Sequence, residues 1–438
     1  MPVPTDHGAA ELRAAWDDLT TALNRARDAV DSEALHAPPP TERGLAEGYR
    51  YLLGFTFAAI ERSFCEDPDF PYFRRAIQPV DKATIDNADA LYLSAAIDGE
   101  QTYRIRGRVL AKAPQYIIFE THTAYAGDSG SLMELSPAHR MITGSLDSSE
   151  LRIDDDGRFE IVVGPEPLPD CDGNFLASRR VTDNGSGTAQ YVIVRLLFHD
   201  WANEVCPDLH IEQIGREGRH PAPIDAQGAA SRMRRAGAIV ENQMKFWNEF
   251  YDVILEAHGD RNGDGATFMP RNGLNAPARA NLATGGGQNT NVYAGGVFDL
   301  DPDQGLLIET RVPVEPAYSG FHLSNLWGES LDYANHQSSL NGFQAEPDDD
   351  GVVRYVVAAR DPGVPNWLDT TGLPKGFLSF RWTYAQDPEQ LPEISVSTVP
   401  LAQLRDHLPA TARTVSAAER AEKIAIRQEH VQRRYRQY

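Results

Sequence analysis

This 438-residue chain is short of cysteine, of positive charge and of long apolar runs, and each shortage removes a class of function. Its three cysteines, Cys65, Cys171 and Cys206, are odd in number, far apart and in no CxxC pair, so neither a zinc knuckle nor a cycling dithiol can be read from them. They are expected to be reduced thiols serving as small apolar side chains. Cys206 lies near His199 and His210, but no motif frames it as a nucleophile. Lys and Arg number 41 against 63 Asp and Glu, and a net charge of -22 repels phosphate backbones and anionic lipid heads. Nucleic acid is therefore not expected as a partner. No apolar run approaches the roughly 20 residues that cross a bilayer, and Met1 to Ala9 has neither the basic nor the apolar segment of a secretory leader. The expectation is a cytoplasmic protein without membrane contact. HExxH and Gly-x-Ser-x-Gly are also missing, and Gly285-Gly-Gly287 lacks the lysine of a phosphate loop, which argues against zincin, α/β-hydrolase and nucleotide chemistry.

What the chain does contain is a regular change of period. Leu12, Trp16, Leu19, Leu23, Ala26 and Val30 recur at intervals of four and three, predicting a helix. Beyond Pro38 to Pro40, Leu45, Tyr49, Leu52, Leu53, Ile60 and Phe64 predict a second. From Leu91 to about Ile214 the period drops to two, with β-rich runs at Tyr103 to Val109, Gln115 to Thr123, Arg158 to Val163 and Tyr191 to Phe198. A long helix follows, on Met233, Gly237, Val240, Met244, Trp247, Tyr251 and Ile254. Period two then returns in Leu306 to Val312, Val352 to Ala359 and Gly376 to Thr383. Two last helices are predicted near Leu401 to Leu408 and Ala417 to Tyr438. The latter carries Arg420, Lys423, Arg427, Arg433, Arg434 and Arg436, and on so acidic a chain it is expected to dock on a negative face of its own or a neighbouring subunit.

Short matches recur in the two period-two regions. Tyr116 to Phe119 pairs with Tyr318 to Phe321, Asp154 to Gly157 with Asp348 to Gly351, Asn174 to Leu176 with Asn366 to Leu368, and Arg195 with Arg381. The offset shrinks from 202 to 186, as loop insertions would produce. The expected fold is α+β with a mainly β core, made of two tandem jelly-roll-like antiparallel β-sandwich modules flanked by amphipathic helices. Its divisions are a helical hairpin over 1–66, a first module over 67–225, a connecting helix and loop over 226–284, a second module over 285–399 and closing helices over 400–438.

Several segments resemble the bacterial family known as domain of unknown function 1214, which often travels with family 1254. They are DPDFP from Asp67 to Pro71, DNADALY from Asp86 to Tyr92, YRIRGR from Tyr103 to Arg108, and RLLFHDW from Arg195 to Trp201 with Glu204 and His210 to Glu212. Trp327 to Tyr333, Asp361 to Asp369 and Arg381-Trp382 continue the likeness, which covers most of the chain after about Phe64. The resemblance implies a jelly-roll-like β-fold and no settled activity. Where the family carries a histidine shortly after the Asn-Trp-Leu-Asp run, this chain has Leu373.

Polar groups shared by both copies point to the fold, and those in one copy need another explanation. The second copy has the surplus, with His322, Asn325, Trp327, Glu329, Asp332, Tyr333, His336, Asn341, Asn366, Trp367, Asp369 and Arg381. The first offers mainly Glu120, His122, Tyr125, Asp128 and Arg195. One reading makes Glu329 or Asp332 a general acid or base with His336 as its partner. Arg381 then anchors an anion, and His322, Trp327, Tyr333, Asn366 and Trp367 line the substrate pocket. The other makes the aromatics core, the Asn-Trp-Leu-Asp run a turn and Arg381 an ion-pair partner of Asp369. On a strand, His322 faces the same way as Gly320 and Ser324, which leave room beside it.

Asp260, Asn262 and Asp264 begin like a calcium loop, but position twelve is Arg271 instead of glutamate, so an ordinary turn stands beside calcium as the alternative. No other cofactor is expected. A site built from His122, His199 and His322 would require them to meet in three dimensions. The expected function is metal-independent acid/base chemistry, hydrolysis or elimination, on a small metabolite held by the second module. The alternative is a non-catalytic ligand-binding or assembly protein. The regular first helix and the basic last one favour a homo-oligomer.

Overall fold

The two regions of period two fold into sheets that share one plan. The structure, a computed structural model, describes residues 6–32, 41–110, 112–136, 138–169, 173–182, 185–256, 268–279 and 290–436. The first region forms β1 (Arg74–Ile77), β2 (Ala90–Ala96), β3 (Tyr103–Arg108), β4 (Tyr116–His122), β5 (Ile142–Asp147), β6 (Arg158–Gly164), β7 (Asn174–Ala177), β8 (Arg179–Thr182), β9 (Gly185–Thr188), β10 (Tyr191–Leu197) and β11 (Asp208–Gln213). The second forms β12 (Ala278–Arg279), β13 (Asn291–Asp299), β14 (Gln304–Arg311), β15 (Tyr318–Ser324), β16 (Ser339–Asn341), β17 (Val353–Ala358), β18 (Trp367–Asp369), β19 (Lys375–Thr383) and β20 (Glu393–Pro400). Strand order is β1-β2-β10-β4-β5 with β11-β3-β6-β7 in the first, and β12-β13-β19-β15-β16 with β20-β14-β17-β18 in the second; β8 and β9 make a separate hairpin. The two orders correspond strand for strand. Mixed α+β, mostly β, is thus the class of the fold.

The short sequence matches occupy equivalent places. Asp154 and Asp348 each close the turn before β6 or β17, accepting from Gly157 N at 2.9 Å and Gly351 N at 2.8 Å; both glycines hold φ near +80° and +76°, where a side chain is strained. Asn174 and Asn366 each tie their strand to two neighbouring segments through backbone oxygens, of Arg152 and Glu160 in one copy and of Glu346 and Arg354 in the other. These asparagines accompany a departure from the antiparallel expectation: β6–β7 and β17–β18 are parallel pairs. A period of two specifies which face is buried and is silent on pairing direction.

Alternate residues of the two first-copy sheets, among them Leu91, Ile105, Phe119, Ile161 and Val194, meet in one core. Val292, Ile308, Phe321, Val357 and Phe380 do the same in the second, where Phe321 and Phe380 stack at 3.8 Å. The outer faces of β2-β10-β4 and of β15 also touch, through Tyr92, Tyr116, Ile118, Leu197 and Tyr318. Asp89, fully buried at this joint, accepts from Tyr318 Oη at 2.6 Å, Trp201 Nε1 at 2.9 Å and Asn341 Nδ2 at 2.9 Å.

Helices α1 (Asp6–Val30), α2 (Glu42–Cys65) and α3 (Ala226–Ile254) pack together and cover one side of the joint. Thr41 caps α2 by accepting from Gly44 N. The α3 seam is the predicted one, with Gly237, Val240, Met244, Trp247, Tyr251 and Ile254 buried. On α1 the buried stripe is Ala15, Leu19, Ala22, Ala26 and Val30, while Trp16 is 59% exposed. On α2 it is Gly44, Gly48, Tyr51, Phe55 and Ala59, with Leu45, Tyr49, Leu53 and Ile60 outward. Both corrections have one cause. Small residues let the backbones approach closely, and a Cβ on Gly48 would lie 2.5 Å from the Trp327 ring. The seam of α1 is spent on α3.

The last helix, α4 (Ala417–Arg434), starts at a capping box of Ser416 and Glu419. Its buried arginines dock mostly on carbonyl oxygens. Arg434 donates to Ala88 O at 2.7 Å and Arg427 to Tyr333 O at 3.1 Å and to Ser339 O; Arg420 reaches Asp361 at 2.9 Å. Arg434 also covers the faces of Phe198 and Trp201, each at 4.9 Å. The docking face of α4 is therefore backbone carbonyls and aromatic rings, with Asp361 and Glu346 meeting Arg420 and Lys423, all of the same chain. No helix among the described residues is long and apolar enough to cross a membrane.

Candidate functional site

The second copy's polar surplus does not converge. Glu329 is buried and receives Arg50 of α2 at 2.6 Å and Asn325 Nδ2 at 2.8 Å; burial raises its carboxyl above the usual range against the pull of Arg50. Asp332 is exposed and closes its own turn by accepting from Ala334 N and Asn335 N, and the Asn335 bonds outweigh burial and hold it low. His336 is half-exposed and meets Asp369, not Glu329, at 2.7 Å. Glu329, Asp332 and His336 thus make no hydrogen bond or ion pair with one another among the described residues, although Lys82 lies close enough to feel both carboxylates; the tight Asn325–Glu329 turn aims Glu329 at Arg50 of α2.

The aromatics follow the packing reading. Trp327 donates to Gly44 O at 3.0 Å, and Trp367 donates to Ala358 O at 2.9 Å beneath Arg420. Tyr333 meets the Tyr435 hydroxyl at 3.0 Å, and Asn366 is the turn residue already described. Replacing Glu329 with glutamine is expected to lower stability by about 1–3 kcal/mol through the lost charged hydrogen bond, measured by urea denaturation, with ligand affinity of the cavity below unaltered. Asp260, Asn262 and Asp264 lie outside the described residues. Among the described residues, no group of three or more His, Cys, Asp or Glu gathers as a metal site, and His122, His199 and His322 stay apart. Burial pushes the Cys206 thiol up to about 11, which leaves it unreactive.

One residue of the expected set does face a cavity. Arg381 on β19 lines a space of about 190 Å³ at the joint between the two copies, floored by Tyr92, Ser94, Ile193 and Arg195 and roofed by Phe55, Ala58, Ile239 and Trp247 of α2 and α3. One water needs on the order of 10–15 Å³ by this kind of measure, so the room is that of a small metabolite. Arg62, Arg74, Arg140, Tyr125, Tyr191 and Asp81 also line it.

Strand register makes Arg195 and Arg381 counterparts. Arg195 lies between Tyr92 and Ile118, and Arg381 between Tyr293 and Gly320. Two positions beyond Ile118 and Gly320 on the neighbouring strand, β4 carries Glu120 and β15 carries His322. Arg195 is ion-paired to Glu120, which is fully buried; burial would raise that carboxyl, but Arg195 and His122 hold it down to about 2. Arg381 forms no salt bridge among the described residues. Its company is phenolic, with Tyr92 beside it and the Tyr293 ring at 5.1 Å, and its Nε is buried without a partner. His322 supplies no counter-charge. Burial and then Arg381 press its pKa to about 3, and neither ring nitrogen has a partner. The two guanidiniums lie close enough for Arg381 to weigh against the charge of Arg195.

Behind the wall a chain of groups continues from Glu120. Arg140 Nη2 meets His122 Nδ1 at 3.0 Å; a guanidinium only donates, so Nδ1 accepts and the neutral ring carries its proton on Nε2, 3.4 Å from Glu120. Burial, outweighing the attraction of Glu120, lowers His122 to about 4. His122, Tyr191 and Tyr125 stack in turn, the last two at 3.9 Å, and Arg62 caps Tyr125 at 3.6 Å while gripping Asp128 through both terminal nitrogens. The predicted face of Gly320, His322 and Ser324 agrees with the register. Asp81, Arg74 and Arg140 carried no sequence signal, since they lie in a short strand and in loops outside the segments that match between the copies.

No family model matches the chain, and no curated protein matches it. Among solved structures, the chain is similar to an uncharacterised protein from Burkholderia cenocepacia, at 28% identity and a TM-score of 0.74, over 90% of this chain and 99% of that one. A second, a protein from Vibrio parahaemolyticus, aligns at 12% identity and a TM-score of 0.41 over 86% of this chain and 100% of that one. The Burkholderia likeness thus spans nearly the whole of both chains.

Proposed function

We propose that the cavity at the joint binds a small organic acid, with its carboxylate on Arg381 and its apolar part against Phe55, Ile239 and Trp247. The observation that carries this reading is that, of two neighbouring guanidiniums, Arg195 has a carboxylate partner in Glu120 whereas Arg381 has none among the described residues and keeps a buried Nε without a partner. A buried cation without a counter-charge is costly, and an anionic ligand offsets that cost. The apolar roof and the few convergent polar groups are the usual make-up of a small-molecule site. On this reading each pair of sheets is a β-sandwich with jelly-roll-like character, and the chain is a duplication in which one copy lost its internal carboxylate to create the site. The resemblance to family 1214 is kept as part of the same proposal.

The test is a thermal-shift series with butanoate, hexanoate and benzoate beside their neutral amides. Ligand that binds only the folded chain raises its melting temperature. The acids are expected to stabilise the wild type and the amides are not. Arg381→Met should abolish the response, and so should His322→Glu, which gives Arg381 the partner that Arg195 already has. Equal shifts with acids and amides, or a wild-type response from His322→Glu, would end the proposal.

A further inference from the structure

We propose that the cavity is also a proton-transfer site, in which Asp81 acts as the base that enolises a bound small oxo acid. This rests on the anion-binding reading and extends it to a reaction. Asp81 follows β1, and its side chain is 6% exposed. Oδ1 is fixed by the Gln78 N–H at 2.8 Å, whereas Oδ2 is buried with no partner, in a residue that lines the cavity. The charged groups facing it are Glu61 from α2 and Arg74 from β1. Arg74 is committed elsewhere, to Glu66 at 2.6 Å and Glu61 at 3.0 Å, so it does not satisfy the free oxygen. Burial raises the Asp81 carboxyl to about 7, Glu61 adding to the rise and Arg74 opposing it. A carboxylate so placed is matched to taking and returning a proton near neutral pH.

The substrate class follows from what lines the same cavity as that oxygen. Arg381 requires an anion, and the apolar roof favours a short hydrocarbon portion. A carboxylate base removes a proton from carbon only when an adjacent carbonyl can take up the charge, and the guanidinium donors of the cavity floor suit an enolate oxygen. In the step, the C3–H bond of a 2-oxo acid breaks and its proton forms an O–H bond on Asp81 Oδ2. The C–H electron pair becomes the C2=C3 double bond, and the carbonyl pair moves to oxygen. Return of a proton from Asp81 to C3 restores the ketone, so there is no net redox change.

Exchange in heavy water tests this without a known product. With 2-oxobutanoate and 4-methyl-2-oxopentanoate as probes, loss of the C3–H signal by proton NMR is expected in the presence of the full-length protein, well above the buffer rate. The rate should rise as pH passes about 7 and then level, because the deprotonated carboxylate is the base. Asp81→Asn keeps the Oδ1 acceptor for Gln78 and should bind the probes while exchanging at least about 100-fold more slowly. Glu329→Gln should exchange as the wild type does. A folded Asp81→Asn that exchanges at the wild-type rate overturns the proposal, as does a probe that stabilises the wild type without exchanging. If neither probe nor the simple acids shift the melting curve, the anion-binding reading fails first and the reaction falls with it.

Discussion

Asp89→Ala is expected to lower the unfolding free energy by about 1–3 kcal/mol, the penalty for a buried donor left without an acceptor. Trp201 Nε1 has no other acceptor among the described residues, whereas Tyr318 keeps Asn87 and Asn341 keeps the carbonyls of Phe198 and His199. The loss is therefore one such penalty. Since Asp89 joins residues of both copies, the effect should fall on the joint as a whole. Urea denaturation should show a lower midpoint with an unchanged slope, together with increased Trp201 fluorescence quenching. Asp89→Asn, which retains one acceptor oxygen, should lose less. A midpoint within error of the wild type would show that the joint does not depend on this carboxylate.

Glu120→Ala is the second large effect and separates stability from binding. It removes one member of a buried ion pair, for which about 3–5 kcal/mol is the usual cost, and Arg195 is left facing the cavity beside Arg381. The unliganded protein should be destabilised by that amount, reduced by whatever cavity water reaches Arg195. Binding of hexanoate should strengthen by about tenfold, the equivalent of about 1.4 kcal/mol, which attraction between unit charges roughly 10 Å apart at effective dielectric near 20 would give. The pH dependence has a definite sign. Glu120 is held at about 2, below its ordinary 4.5, so its contribution to stability is present above pH 4.5 and is lost as pH falls towards 2. Asp81 acts oppositely. Its raised value near 7 favours the folded state below pH 3.8, and that advantage is lost as pH rises through 7. Melting curves of the two variants across pH 3 to 8 should flatten opposite limbs of the profile.

The fold was legible wherever a local pattern has one physical solution. The α3 seam is long, and its large side chains mark the buried face directly. The runs around Tyr116, Arg158, Tyr191 and Gly376 are short, rich in β-branched and aromatic residues and bounded by turns, and the aspartate-glycine turns repeat because only glycine tolerates their backbone. On α1 and α2 the same approach found Leu19, Ala26, Val30 and Leu52 but turned Trp16, Leu45, Tyr49, Leu53 and Ile60 inward, and it missed the alanines and glycines that share the contact with Tyr51 and Phe55. Close approach is a property of the partner surface and leaves little trace in the helix's own hydrophobicity.

The sequence by itself determined that the chain has two matching β-rich halves, that Arg195 and Arg381 are counterparts, and that His322 stands on a strand facing the same way as Gly320 and Ser324; the expected space beside it is filled by the Tyr318 hydroxyl and Asp89. The tertiary structure alone decided which of those residues meet. Glu329, Asp332 and His336 are near in sequence, but a tight turn sends one into a helix, one to solvent and one to Asp369. Asp81, Arg140 and Arg381 are far apart in sequence and line one cavity. A site at a joint is assembled by packing between halves, and packing between distant segments has no periodicity to read.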